Sequence, residues 1–230
     1  MTLTSEEITV VLLSLKVALL ATLFSMPVAL AIAYVLARKT FRGKSLLSAV
    51  AHMPLLLPPV VTGFILLIAL GKKGFIGEPL YDLTGFTFAF RWTGAALAAA
   101  VMTLPVMIPP IRIAFETIDL ELEEAARDLG ATNWQRFVTI TVPLASPGIL
   151  SALALGYVKS LGEFGATITF VSNIPSQTQT LALAIHTFLQ VPNGEGAAFR
   201  LVWFSIALAT AALLASESLS RRMRRFKSAN

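Results

Sequence analysis

The chain contains no cysteine among its 230 residues, which removes disulfide staples, zinc–thiolate sites and thiol nucleophiles. Histidine is almost as scarce: His52 and His186 stand alone, without a second ligand at metal-binding spacing. Charge is thin, with Asp, Glu, Lys and Arg at 13% of residues, about half the share of a soluble domain. A phosphate-binding loop is missing as well. "GKS" at Gly43–Ser45 has the right ending, but the position five residues before Gly43 that requires glycine is Arg38, and no strand pattern precedes it. There is no nucleophile elbow, no HExxH and no carboxylate pair in a plausible cleft. The chain is therefore expected to bind no cofactor, to hold no catalytic residue or metal, and to hydrolyse no ATP by itself.

What is present is apolar. Hydrophobic residues make up 56% of the chain and the mean hydropathy is +0.76. Several runs reach the roughly 20 residues that a helix needs to cross the hydrocarbon core, which makes this an all-α integral membrane protein. Reading those runs against helix breakers gives five transmembrane helices in a single domain spanning residues 1–230. They cover about 8–37, 46–70, 92–113, 147–171 and 197–218, with a polar segment over 114–143 between the third and fourth. The first is long enough to tilt, or to kink at Pro27. The opening "MTLTSEE" has no positive n-region and the run behind it is too long for a signal peptide, so the segment is expected to stay. Thr4 and Glu7 have the spacing of a capping box that opens the first helix.

A net charge of +5 and a pI near 9.8 could indicate a nucleic-acid face, but the cations sit at the ends of apolar runs, where topology signals sit. No nucleic-acid partner is expected. With five spans, "ARKTFRGK" (Ala37–Lys44) and "RRMRRFK" (Arg221–Lys227) fall on one side together with Arg112, Arg127 and Arg136. The other side holds Lys72, Lys73, Arg91 and Arg200, which are fewer. The positive-inside rule then places the N-terminus outside, the C-terminus inside and the polar segment in the cytoplasm. Of the outer loops, "GKKGFIGEP" and "VPNGEG" carry turn chemistry. "TQTLALAIHTFL", residues 178–189, reads as a short amphipathic helix lying at the outer surface.

The polar segment is well formed. Glu121 to Leu129 is rich in helix formers, and Arg127 follows Glu124 and Glu123 by three and four residues. Gly130 suits the left-handed position that ends a helix, and Thr132 and Asn133 can cap a second one. That second helix carries Trp134, Phe137 and Val138 on one face and is expected to end at Pro143.

Glu124-Ala125-Ala126, three residues, Gly130, nine residues, Ile140, one residue, then Val142-Pro143 resembles the "EAA" loop of ABC importer permeases. The family usually has leucine where Val142 stands. The resemblance implies a type I importer permease fold in which this loop is a coupling helix seated in a cleft of a cytoplasmic ATPase. Glu124, Ala125, Ala126, Gly130, Ile140 and Pro143 are then its coupling residues. Small alanines permit close approach, Glu124 offers a carboxylate to a basic partner, and Gly130 sets the angle between the helices.

A second stretch, "SLGEFGATITFVSNIP" (Ser160–Pro175), resembles molybdate and sulfate permeases of that family. "LPPVVTGF" (Leu57–Phe64) and "GFIGEPLYD" (Gly74–Asp82) resemble its molybdate members. The implied protein is the multi-pass membrane subunit of a molybdate importer in the bacterial cytoplasmic membrane, with sulfate or tungstate as alternative cargo. Its implied partners are a second permease copy, two ATPase subunits that hold ATP and Mg, and an external oxyanion-binding protein. A passive anion channel is the rival from another class, and it leaves the coupling loop without a purpose.

Inside the spans, Lys159 and Glu163 are four residues apart, on one helix face near the middle of the fourth span, where ionisable groups are costly. They read either as a pair that locks helices together or as part of the ion path. For an anion, the attractive groups would be Lys159, the hydroxyls of Ser160 and Thr167, and backbone N–H groups freed around Gly162 and Gly165. Glu163 would repel a dianion unless neutralised. Pro54, Pro58 and Pro59 in the second span, and Pro105, Pro109 and Pro110 in the third, are expected to interrupt their helices. The interruptions line the pathway or serve packing alone.

Overall fold

The computed structural model describes residues 4–228, with side chains described as far as residue 219. Met1–Leu3 and the side chains of the basic segment Arg221–Lys227 lie outside the described residues. Among the described residues the chain is helical without strands. Its order is α1 (Ser5–Arg38), α2 (Lys44–Leu56), α3 (Pro59–Leu70), α4 (Gly77–Thr84), α5 (Trp92–Glu116), α6 (Leu120–Asp128), α7 (Asn133–Arg136), α8 (Val142–Leu161), α9 (Gly165–Val171), α10 (Leu181–Leu189) and α11 (Glu195–Ser228). Among these, α1, α5, the continuous segment Asn133–Leu161 and Glu195–Leu219 are long and apolar enough to cross a membrane, and α2 with α3 makes a fifth crossing if that bent pair is one span.

The expected capping box opens α1. The Thr4 N–H donates to Glu7 Oε2 at 2.8 Å, and the Glu7 N–H donates back to Thr4 Oγ1 at 3.3 Å. Glu7 is also buried, 1% exposed, and accepts from Arg200 Nη2 at 2.6 Å, which ties the start of α1 to the start of α11. Small residues then let α1 and α5 lie side by side in the same direction. Val17 and Ala21 share a cluster with Ala95, Ala98 and Ala99. Further along, Met26, Ala29, Ala33 and Leu36 meet Met107, Ile108, Ile111 and Phe115. Between the two clusters Ser25 donates across to the Ala100 carbonyl at 2.9 Å. Returning against α5, α8 starts beside Phe115 through Ala145 and ends level with Thr103, which shares a 2.8 Å hydrogen bond with Ser160. The last helix returns along α8, where Ser216 donates to the Leu150 carbonyl at 3.2 Å.

Several expected helices take a different shape. The segment 46–70 is not one helix but two, α2 and α3, bent by 108°. Leu57 and Pro58 are extended there, since a residue before proline is pushed out of the helical region, and Pro59 starts α3 at a position that needs no N–H. The segment 147–171 is also not one helix. Its helix begins earlier, runs unbroken from Asn133 to Leu161, and stops at Gly162; a separate helix, α9, follows. Pro143 therefore sits in the first turn of α8 and ends nothing. It is accommodated by a wide π turn over Phe137–Thr141, in which the Val142 N–H reaches back to the Phe137 carbonyl.

Conversely, Pro105, Pro109 and Pro110 do not interrupt the third span, because α5 is continuous through all three. Pro105 is buried and Pro110 half-buried among neighbouring helices, whereas Pro109 is exposed. The helix expected at the outer surface is α10, and it is packed inward. Leu181 and Ala184 are buried against Val10, Val11 and Leu201, and the Leu181 N–H donates to Ser14 Oγ at 2.7 Å. The loop read as turns alone contains α4.

Candidate functional site

Two places carry the residues singled out in the sequence: the hairpin α6–α7 at one end of the bundle, and the breaks between α2 and α3 and between α8 and α9.

In the hairpin, Asp119 caps α6 by accepting from the Glu121 N–H at 3.0 Å. The helix ends as the sequence requires. Gly130 has φ +87°, its N–H donates to the Arg127 carbonyl at 2.9 Å, and the Ala131 N–H donates to the Ala126 carbonyl at 3.0 Å. Thr132 then forms a second capping box with Gln135, at 3.2 and 2.8 Å. The hairpin is pinned to the last turn of α1. Arg38 Nη2 donates to Glu123 Oε1 at 2.9 Å, Thr141 Oγ1 donates to the same oxygen at 2.9 Å, and Arg136 Nη1 donates to the Glu123 carbonyl at 3.3 Å. Tyr34 wedges edge-on against Phe115 and Phe137, with ring centroids 5.6 and 5.3 Å away.

Of the residues expected to couple, Glu124 and Ala125 are exposed, Ala126 and Ile140 are half-buried and Pro143 is exposed. Beside them Leu129 is 90% exposed and Trp134 71% exposed. The hairpin thus turns an acidic side chain and two large apolar ones outward while Glu123, Arg38, Arg136 and Thr141 hold it from within. None of these contacts was read from the sequence, which set Glu123 beside Arg127; Arg127 instead lies 3.8 Å from Asp128. Glu123 and Arg38 are 85 positions apart, so no local spacing announces the pair.

At the breaks the structure brings the remaining residues together. Gly165 opens α9 so close to α3 that an added Cβ would stand 2.6 Å from Pro59 Cβ, and one on Gly63 would stand 2.5 Å from the Ala166 carbonyl oxygen. The break between α2 and α3 therefore touches the break between α8 and α9. Pro58, exposed, stands just before α3 at its N-cap, and its carbonyl accepts from the Val61 N–H at 2.8 Å. Lys159 and Glu163 are paired at 2.6 Å, but not along one helix face: Lys159 is in the last turn of α8, and Glu163 sits past its end. Glu163, 3% exposed, uses its other oxygen to accept from the Ala166 N–H at 3.1 Å, while Lys159 is 31% exposed. One carboxylate thus caps α9 and balances the cation that ends α8. Ser160 and Thr167 are buried, and Gly162 is exposed in the gap. Two partners were missed in the sequence: Thr103, which holds Ser160, and Thr62, whose buried hydroxyl has no hydrogen-bond partner. Nothing short of the packing of α3 on α9 would have found Thr62.

The histidines stay apart, His52 bonded to the Ser48 carbonyl and His186 against the Phe164 ring. Among the described residues no three potential ligands converge as a metal site. A hairpin with an outward-facing surface is continuous, through the π turn and α8, with the Lys159–Glu163 break.

Residues 25–225 match the family described as "Binding-protein-dependent transport system inner membrane component". The chain is 57% identical over 221 residues to the molybdenum transport system permease protein ModB of Escherichia coli K12, covering 96% of each. It is 37% identical to the sulfate transport system permease protein CysT of the same organism, over 75% of this chain and 62% of that one. Among solved structures, a chain of a bacterial ABC transporter involved in the import of alginate superposes with a TM-score of 0.74 at 18% identity, covering 96% of this chain and 80% of that one. With the family matched over most of its length, this chain belongs to the binding-protein-dependent transport system inner membrane components.

Proposed function

We propose that the chain is the membrane-spanning permease subunit of an ATP-driven molybdate importer in the bacterial cytoplasmic membrane. Its N-terminus lies outside, and α6–α7 is the cytoplasmic handle that a separate ATPase grips. The observation that carries this reading is the hairpin itself: Glu124, Leu129 and Trp134 face outward on a unit whose second helix runs without interruption into α8. Sulfate is the second cargo to weigh, and the lower identity to the sulfate permease ranks it behind molybdate.

Two copies of the chain surround the path, each with one ATPase that holds ATP and Mg, and a binding protein delivers the oxyanion from outside. Closure of the ATPases draws the two hairpins together, and each α8 carries that motion to its break. Nucleotide state thereby biases the spans between two packings. At the break, Lys159 is the accessible cation and Glu163 its resident counter-ion, so a passing dianion competes with Glu163 for the ammonium. Ser160, Thr167, Gly162, Gly165, Pro58 and Pro59 form the surrounding path. Contacts there are weak by necessity, since tight binding slows release, and selectivity rests on the binding protein.

The test is uptake into vesicles that contain the chain and its ATPase. Molybdate is expected to enter only with internal ATP and external binding protein, and sulfate to enter poorly. Downhill flux through the chain without ATPase would replace the importer with a channel. Molybdate preference without the binding protein would move selectivity into the spans.

A further inference from the structure

A polar cavity of about 300 Å³ lies between the last turn of α1 and the hairpin, and the coupling role leaves it unused. Arg38, Lys39 and Arg136 line it, with Glu123 as the lone acid among its lining residues. Glu123 is already spoken for by Arg38 and Thr141. Arg136 spends its terminal nitrogens on the Glu123 carbonyl and on the Asn133 side chain. Yet Arg38 Nε and Arg136 Nε are both buried without any hydrogen-bond partner, and the Arg38 side chain as a whole is only 10% exposed. Two cationic side chains that line the pocket thus each keep a buried donor without an acceptor, and the lining carries an excess of two positive charges, which calls for an anionic partner. Lys39, exposed at the rim, adds a mobile ammonium.

We propose that this cavity is a binding site for a small tetrahedral oxyanion, held by Arg38 and Arg136 from below and by Lys39 at the mouth. Such an anion bridges α1 to α7 and stiffens the joint on which the hairpin turns. Two sources share this chemistry on the cytoplasmic side: phosphate released by the ATPase, and imported oxyanion that has accumulated. The location rests on the reading of the hairpin as the cytoplasmic handle.

Hydrogen exchange of the full chain in lipid nanodiscs, with and without its ATPase, tests the site. Phosphate, sulfate and molybdate are titrated separately against chloride at equal ionic strength. Saturable slowing of exchange is expected over residues 34–39 and 120–136, with no change in α5. Protection by phosphate alone identifies the hydrolysis product as the ligand, and protection by molybdate or sulfate identifies the cargo. Lys39→Gln, which removes no ion pair, is expected to raise the half-saturating concentration about tenfold, the worth of one charged hydrogen bond. Asn133→Asp adds a carboxylate to the lining and is expected to abolish protection. No protection by any of the three oxyanions, equal protection by chloride, or protection that both variants leave unchanged would overturn the site. A hairpin protected by anion yet unable to recruit ATPase would sink the coupling reading alone. A hairpin that recruits ATPase but is never protected would sink this site alone.

Discussion

Replacing Glu123 by alanine is expected to release the hairpin from α1 while leaving its outward face intact, and replacing Glu124 is expected to do the reverse. The two carboxylates are adjacent in the chain, but Glu123 accepts from Arg38 and Thr141 at 2.9 Å each, whereas Glu124 is exposed. In Glu123→Ala the Arg38 guanidinium, already short of one acceptor, loses its ion pair, and the buried Thr141 hydroxyl loses its strong acceptor. Breaking a buried pair costs about 3–5 kcal/mol. Side chains here are 10% and 15% exposed, so water can replace part of the loss and about 2–3 kcal/mol remains. That equals roughly a 30-fold to 150-fold rise in local opening of the hairpin. Hydrogen exchange over 120–136 in nanodiscs reads it directly, and uptake is expected to fall because a loose handle transmits little. Glu123→Gln keeps an acceptor and is expected to show a smaller effect. Glu124→Ala is expected to leave exchange in the free permease unchanged and to weaken ATPase recruitment. The reasoning fails if Glu123→Ala leaves local exchange at its original rate, or if Glu124→Ala loosens the isolated permease.

Two further outcomes follow from the packing. Gly63→Ala pushes a methyl group to within 2.5 Å of the Ala166 carbonyl oxygen, and backbone cannot yield as a side chain would. An overpacking cost of about 1–3 kcal/mol is expected to separate α3 from α9 and to lower uptake without loss of ATPase recruitment; wild-type uptake would show that the contact is dispensable. Arg200→Ala strands the Glu7 carboxylate at 1% exposure. With Arg200 itself 29% exposed, about 2 kcal/mol of stability is expected to go, read as a lower midpoint in thermal unfolding, and Glu7→Gln in the same chain is expected to recover part of it.

The sequence disclosed what local chemistry determines. Apolar runs marked the long apolar helices, Gly130 announced its left-handed turn, Thr4 announced a capping box and Thr132 a helix cap. Proline was the poorest guide, because its effect depends on what surrounds it. The pair at Pro58 and Pro59 separates two helices, whereas the three prolines in α5 leave it continuous, although Pro105 is buried and Pro109 exposed. Pro143 even begins a helix, because the π turn before it absorbs the mismatch. The break at Gly162–Phe164 has no proline to mark it. It forms because α9 must lie against α3, and that demand comes from residues about a hundred positions away. The Glu123 anchor was hidden for the same reason: which of two neighbouring glutamates faces inward is decided by where α1 ends.

Continuity and interruption divide the labour in this fold. From Asn133 to Leu161 the chain is one helical rod of 29 residues, which at the usual rise is about 43 Å long. A tilt of about 10° at the hairpin displaces the far end of such a rod by about 7 Å. A helix unbroken through Gly162 would pass that displacement on and drag α9 with it. The break at Gly162 stops the rod at Lys159–Glu163, while α9 stays against α3 and α5 through Gly63, Gly165 and Phe170. On the proposed coupling role, motion driven from the hairpin is expected to concentrate between the cation at the end of α8 and the carboxylate at the head of α9. If that is where the path opens, a crosslink between α8 and α9 across Gly162 is expected to block uptake while leaving ATPase recruitment intact. A crosslink between α9 and α3, which move together, is expected to be tolerated.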